Sequence, residues 1–245
     1  MNLRGSIHEG LRKLGVDIIR YPLPDWLPLR EHLLTMFSTF RVNCVFDVGA
    51  HRGLYASFLR AAGFEGRIVS FEPIRRNFLE LQERSSADPK WHAYPIALGD
   101  QVGTVPMNVT RRTEFCSFLS PNDYCKTQFG DAAEVVETEI VQIERLDRIF
   151  DECVQGICAP KVFLKTDTQG YDLKVLEGAV GRSDFIEALQ SEISFRRIYD
   201  GMPNFVESIA GMARMGFELS GLFPVTRDER LRIIEMDCIM VKSRD

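Results

Sequence analysis

An aspartate followed by a glycine-rich turn, Asp47 ahead of Gly49-Ala50-His51-Arg52-Gly53, is the first place in this sequence where residue type and spacing suggest chemistry. Glycines at such a turn let the backbone approach a ligand, and the helix that follows offers free N–H groups. A dinucleotide site uses Gly-x-Gly-x-x-Gly there and seats a pyrophosphate on those N–H groups. Here the spacing is Gly-x-x-x-Gly, with an acid just before it. A carboxylate beside the turn repels a pyrophosphate and suits a cation, such as the amino group or sulfonium side of S-adenosylmethionine. Asp47 therefore separates the two cofactor chemistries. Glu72 ends the next apolar run, placed to accept hydrogen bonds from both ribose hydroxyls, a use common to nicotinamide and adenosylmethionine sites.

Strands joined by crossover helices have to carry these acids to one edge of a sheet. Cys44 to Val48 reads as a buried parallel strand, and Leu54, Phe58 and Ala61 recur at helical spacing until Gly63. Arg67 to Phe71 is the second strand. It runs into Pro73, which suits the first turn of a helix carrying Ile74, Phe78 and Leu81 on one face. Trp91 to Leu98 reads as a third strand. The alternation then breaks: residues 100–144 carry no good helix, and the β-rich stretches Gly103–Val109 and Val135–Ile143 flank a polar middle. That pattern predicts a β-hairpin-like insertion or a loop over the site. A short helix at 144–152, a central strand at 161–166, a helix at 171–179, a strand at 188–194 and a helix at 204–215 follow. The runs 217–223 and 233–241 close the chain as a strand pair, an antiparallel edge element that fits a mostly parallel sheet with an antiparallel terminal strand and helices on both faces. Residues 1–43 precede the sheet. Ile7, Leu11, Leu14 and Ile18 repeat at helical spacing, and a second helix near Leu29–Phe40 follows a proline-rich break. This segment packs on the sheet's edge or serves as a substrate lid, leaving 44–245 as a single domain with an insertion at about 100–144.

Four stretches carry a family resemblance. They are Val45-Phe46-Asp47-Val48-Gly49-Ala50-His51-Arg52-Gly53, Phe71-Glu72-Pro73, Ala97-Leu98-Gly99-Asp100, and the run from Leu164 through Lys165, Thr166, Asp167, Thr168, Gln169 and Gly170 to Ala179. Together with the Leu146-Asp147 step, they make roughly residues 42–195 similar to the FkbM-type methyltransferase family. The resemblance implies a class I (Rossmann-like) methyltransferase fold and methyl transfer from S-adenosylmethionine to oxygen, commonly on a sugar, glycan or natural-product hydroxyl. Two positions depart from that family's pattern: His51 stands where Asn is usual, and Gln169 where Glu is usual.

An alcohol acceptor has to lose its proton as the new bond forms. Asp167, at the carboxyl end of a strand, faces the crevice where ligands bind in such sheets and is the preferred base or acceptor-orienting group. A helix cap at Tyr171 is its alternative role, and His51 is the alternative base. Lys165 is either paired with Asp167 or a strand-edge lysine, and Glu192 is a second-rank candidate. A metal on Asp167 with Asp147 or Glu192 stays open, though no ligand spacing requires one. Ala97 and Leu98 are placed to sandwich adenine, Asp100 to accept from its amino group, and Tyr55 and Pro73 to complete the cofactor site. Ser117 resembles the family's serine in the insertion and would touch the methionine end.

The chain has 245 residues, 45% hydrophobic and 27% charged, with a net charge of −5. This suits one α/β domain and argues against a dedicated nucleic-acid binder. Its six cysteines form no Cys-x-x-Cys pair, which predicts reduced thiols in a cytoplasmic protein. No apolar run reaches the roughly 20 residues that span a bilayer, and Met1-Asn2-Leu3-Arg4 leads into no signal-peptide core. Nothing in the sequence points to an oligomeric state. A nicotinamide oxidoreductase is the competing class, but it lacks its glycine fingerprint, and Tyr171 precedes Lys174 by one residue too few for a Tyr-x-x-x-Lys pair. Gln169 also leaves open a non-catalytic module that binds the cofactor.

Overall fold

The computed structural model describes residues 26–244. The predicted helix around Ile7–Ile18 lies outside them. In chain order the elements are α1 (Leu27–Phe40), β1 (Cys44–Val48), α2 (Leu54–Ala62), β2 (Arg67–Phe71), α3 (Arg75–Ser85), β3 (Trp91–Tyr94), β4 (Ala97–Leu98) and β5 (Gly103–Thr110). Then come α4 (Asp123–Phe129), β6 (Val135–Glu144), α5 (Leu146–Cys153), β7 (Val162–Thr166), α6 (Asp172–Glu177), β8 (Ile186–Ser194), α7 (Phe205–Arg214), β9 (Phe217–Arg227) and β10 (Ile233–Lys242).

Seven strands form one sheet in the order β3-β2-β1-β7-β8-β10-β9. The first five are parallel, and β10 is antiparallel to both β8 and β9. The sheet is thus mixed, with the expected terminal hairpin at its edge; within the hairpin β10 lies inside and β9 takes the outermost place. Sequence chemistry explains that order. β9 contains Pro224, which has no N–H for a second ladder, and exposes Leu219, Leu222 and Val225. β10 buries Ile234, Met236, Cys238, Ile239 and Met240 and needs neighbours on both sides.

The two faces follow the strand period of two. Phe46, Phe71, Leu164 and Leu189 point toward α5, α6 and α7, where Phe150, Val175 and Met212 meet them. Val45, Ile68, Phe163 and Ala188 point to the other face, under Leu33 and Phe37 of α1, Leu59 of α2 and Leu81 of α3. Burial of this apolar surface, at about 25 cal/mol per Å², is the main term holding the layers together.

Three local expectations change. The predicted strand 91–98 breaks at Pro95; its second part, β4, pairs with β6 in a separate three-stranded sheet of order β4-β6-β5. Pro73 lies outside its helix, which begins at Arg75. The insertion does contain a helix, α4, nucleated by Asn122, whose side chain accepts from the Cys125 N–H at 2.9 Å. No helix of the described residues is long and apolar enough to cross a membrane. All six cysteines are free thiols, and only Cys158 is exposed.

Candidate active site

At the carboxyl ends of the parallel strands lies a cavity of about 540 Å³, within the range of small-molecule sites. Its walls come from the turn after β1, the ends of β2, β7, β8 and β10, the helix α2, and the insertion. The turn after β1 is tightly built. Gly49 has φ +74°, and a Cβ there would sit 2.0 Å from the Asp167 carbonyl oxygen, so only glycine lets β1 and β7 close up at this point.

Three N–H groups of the turn are already used. Gly49 and Ala50 both donate to the Phe71 carbonyl at 3.0 Å, and the His51 N–H donates to Glu72 Oε2 at 2.8 Å. The helix α2 behind them starts at Leu54 with no side-chain cap on its first N–H groups. Glu72 is 5% exposed and also accepts from the Ile74 N–H at 2.9 Å and from the Asn77 amide. Burial pushes its carboxyl up to about 7, against the pull of these donors. It keeps oxygen surface on the cavity, beside Pro73, Ala97 and Leu98.

Along the α2-facing side of the sheet a polar row interrupts the apolar strands. Register sets Ser70, Asp47, Lys165 and Gln190 side by side across β2, β1, β7 and β8. Trp91 donates its indole N–H to Ser70 Oγ at 3.0 Å, and Ser70 Oγ lies 3.4 Å from Asp47 Oδ2. Lys165 Nζ stands 3.1 Å from Asp47 Oδ1, an ion pair without aligned hydrogen-bond geometry, and 3.5 Å from Asp167 Oδ2. It also donates to the Gly49 carbonyl at 3.3 Å. Desolvation favours the neutral amine, but the Asp47 and Asp167 charges outweigh it and raise the Lys165 pKa, so the ammonium is retained. Lys165 is thus a buried counter-ion, not a strand-edge lysine. Tyr55 completes the row: its hydroxyl donates to Gln190 Oε1 at 2.7 Å, and its ring lies 5.3 Å from Lys165 Nζ.

Four predicted cofactor residues do not reach the cavity. Asp47 is fully buried, with Lys165 Nζ 3.1 Å from its Oδ1. Gly53 caps α2 and packs against Trp91 and Leu81. Asp100 is turned toward α6, bound by the Tyr171 hydroxyl at 3.2 Å and Lys174 Nζ at 3.0 Å. Ser117 is buried in the insertion and donates to the Gln169 carbonyl at 2.8 Å, pinning the loop after β7. Gly49, Ala50, His51, Tyr55, Glu72, Pro73, Ala97 and Leu98 all line the cavity, as does Asp167.

Asp167 keeps 40% of its side chain accessible. It is no helix cap. The residue preceding α6 is Tyr171, which makes no side-chain capping bond, and the nearby Thr168 N–H is taken by Asp172 Oδ1 at 3.2 Å. Gln169, at φ +53°, reaches back with its amide nitrogen 3.0 Å from Asp167 Oδ1 and 3.2 Å from Glu192 Oε2, while its Oε1 accepts from the Tyr199 hydroxyl at 2.7 Å. An amide here donates to both carboxylates; a carboxylate could not. His51, at φ +50°, places Nε2 2.7 Å from Thr113 Oγ1, and burial lowers its pKa. Asp147 is elsewhere, on α5 and paired with Arg145 at 2.5 Å. Among the described residues no group of three or more His, Cys, Asp or Glu is disposed to hold a metal ion.

Sequence reasoning missed Gln190, Glu235 and Asp237. Their signal was a polar residue inside an otherwise apolar strand, as in Leu189-Gln190 and Met236-Asp237-Cys238. Such a residue in a strand covered on both faces has to point at a partner or a cavity.

A mixed α/β sheet with an acid closing β2, a glycine turn after β1 and a cavity along the carboxyl ends is a methyltransferase-like fold. The model of the methyltransferase FkbM domain matches residues 47–219. The chain belongs to this family of S-adenosylmethionine-dependent methyltransferases. Among solved structures it is similar to methyltransferase FkbM from Methylobacillus flagellatus KT, at 17% identity over 82% of this chain and 43% of that one, with a TM-score of 0.52. The chain therefore spans less than half the length of that protein. It is also similar to Aeropyrum pernix fibrillarin in complex with natively bound S-adenosylmethionine (12% identity, 81% and 66% of the two chains, TM-score 0.45). A third is magnesium protoporphyrin IX methyltransferase from Synechocystis PCC 6803 with bound S-adenosylmethionine (10%, 99% and 93%, TM-score 0.44). No curated protein matches the chain at a significant level.

Proposed function

We propose that this chain methylates a hydroxyl oxygen on a small molecule or glycan, with S-adenosylmethionine as donor and Asp167 as the base or orienting group. The observation that carries the reading is the accessible Asp167 carboxylate facing the cavity at the point where β7 meets the Gly49 turn. The residues present fit the donor. Glu72 offers oxygen acceptors where two ribose hydroxyls would lie, Ala97 and Leu98 give apolar faces for adenine, and the Gly49, Ala50 and His51 N–H groups are not open to a pyrophosphate.

When bound, S-adenosylmethionine supplies a methyl group on a sulfonium sulfur, which keeps the electron pair of the broken carbon–sulfur bond. The chain's own part is alignment and proton removal. Asp167 accepts the hydroxyl proton as the oxygen–carbon bond forms, with Gln169 and Lys165 fixing the carboxylate's position from two sides. His51 is the second candidate base, because its lowered pKa keeps the ring neutral near pH 7, although Thr113 occupies its Nε2. We read the fold as Rossmann-like, with β10 added between β8 and β9, and 44–245 as one catalytic domain whose insertion walls the cavity. We place the enzyme in the cytoplasm, a reading compatible with the described residues, none of whose helices is long and apolar enough to cross a membrane.

Calorimetry with S-adenosylhomocysteine and NAD, followed by transfer of labelled methyl from S-adenosylmethionine to fractionated cell extract, tests this reading. Micromolar-order binding of the first, none of NAD, and a labelled product with an alkali-stable ether are expected. Tight NAD binding with no adenosyl ligand bound overturns it.

A further inference from the structure

We propose that the acceptor is cationic: a hydroxylated small molecule or sugar bearing a protonated amine, held through its ammonium by the carboxylates at the β8–β10 end of the cavity. This rests on the cavity being the methyl-transfer site. Glu192 and Asp237 stand directly opposite each other across the antiparallel β8–β10 ladder. Glu235 lies two residues before Asp237 on β10, on the same face, and all three line the cavity with Asp167. Like charges set directly opposite destabilise a sheet, so the arrangement works against the fold unless something positive enters between them.

Nothing positive on the cavity wall is left to do so. The one lysine or arginine among the described lining residues is Lys165, shared by Asp47 and Asp167 at close range and acting on Asp237 only from beyond 4.0 Å. The local donors are few and neutral. Asp237 receives the Gln190 amide at 2.8 Å and Glu192 the Gln169 amide at 3.2 Å. Glu235 is only 6% exposed and pairs across the ladder with Thr226, whose hydroxyl pulls its pKa down. Each carboxylate therefore turns unfilled acceptor capacity into the cavity. Burial, reinforced for Glu235 and Asp237 by neighbouring carboxylates, pushes their carboxyls up to about 7 and about 6. A bound ammonium reverses that pressure.

The donor's own positive groups do not meet this need. β10 lies three strand spacings from β1 in the sheet, roughly 14 Å at about 4.8 Å per strand, while the donor's adenosine and amino-acid ends belong by the Glu72 and Gly49 side. Tyr55 and Phe58 add aromatic faces to the same cavity, which also favour a cation. A phosphorylated or carboxylated acceptor would be repelled.

The test uses protein loaded with S-adenosylhomocysteine and three probes of one ring and different charge: glucosamine, glucose and N-acetylglucosamine, titrated by calorimetry at pH 6.5. Glucosamine is expected to bind at least tenfold tighter than either neutral sugar. The Glu235→Gln/Asp237→Asn double variant is expected to lose that preference while still binding S-adenosylhomocysteine and melting no lower than wild type. Equal binding of the three sugars, binding of none, or a preference that survives in the variant overturns the proposal. So does tight uptake of magnesium or manganese chloride that the variant abolishes without any amine preference, which assigns the carboxylates to a metal. A chain that binds no S-adenosylhomocysteine at all fails earlier, and the methyltransfer reading falls with it.

Discussion

Replacing Lys165 with methionine tests the central claim about the polar row, that Asp47 is held by Lys165 and not by a ligand. Methionine keeps most of the lysine stem and removes the charge. Asp47 is fully buried, and with Lys165 gone its nearest polar neighbour is the Ser70 hydroxyl at 3.4 Å. Leaving one member of a buried pair uncompensated costs about 3–5 kcal/mol. For a chain of this size, roughly 2–4 °C per kcal/mol turns that into a fall in Tm of about 6–20 °C. Asp47→Asn alone costs less, roughly 1–3 kcal/mol, because Lys165 still has Asp167 at 3.5 Å and the Gly49 carbonyl. The Asp47→Asn/Lys165→Met double variant removes both charges and recovers most of the loss. Urea unfolding of the four proteins, with linear extrapolation, gives the coupling energy directly. A Lys165→Met loss below about 1 kcal/mol, or a double variant no better than its worse parent, refutes the buried-pair account and returns Asp47 to the ligand.

Other outcomes follow from the same geometry. Gly49→Ala puts a methyl 2.0 Å from the Asp167 carbonyl at a left-handed φ, so it should abolish S-adenosylhomocysteine binding by calorimetry and lower stability; an alanine variant with normal affinity sinks the close-approach argument. Asp167→Asn keeps the shape and is expected to slow methyl transfer by about 10²–10⁴-fold with donor affinity near wild type; normal turnover would make His51 the leading base. Burial raises the carboxyl pKa of Glu235 to about 7 and of Asp237 to about 6, so between roughly pH 4.5 and 7 the folded state holds protons the unfolded chain has lost. Their stabilising contribution is complete below the unfolded carboxyl pKa and is lost as pH rises through 6 to 7. The Glu235→Gln/Asp237→Asn variant should therefore gain on wild type in melting temperature from pH 5 to pH 8, and parallel profiles would contradict the raised values.

Much of the frame could be read from local pattern. The runs at 44–48, 67–71 and 162–166 are short and mostly apolar, which marks strands covered on both faces, and each is followed at once by a residue that chemistry needs: Gly49, Glu72, Asp167. The helix limit at Gly63 was equally visible, because caps are set by residues adjacent in the chain; the Asn204 capping box came with the structure. Pro95 and Pro224 were visible too. Their consequences, a strand split between two sheets and an edge position for β9, depend on which ladder each proline is refused by.

The site divides along the same line. The sequence by itself determined that acids and glycines fall at strand ends, because strand period and turn chemistry are properties of neighbouring residues. Tertiary structure alone decided which of those acids meet a ligand. Asp47 and Asp100 carry the same functional group as Asp167, yet β-sheet register hands Asp47 to Lys165, the packing of α6 hands Asp100 to Lys174 and Tyr171, and of the three only Asp167 lines the cavity. Glu192 and Asp237, 45 residues apart in the chain, become neighbours because β10 returns antiparallel between β8 and β9. Long-range pairing is paid for by burial summed over the whole sheet, and no local stretch of sequence encodes that sum.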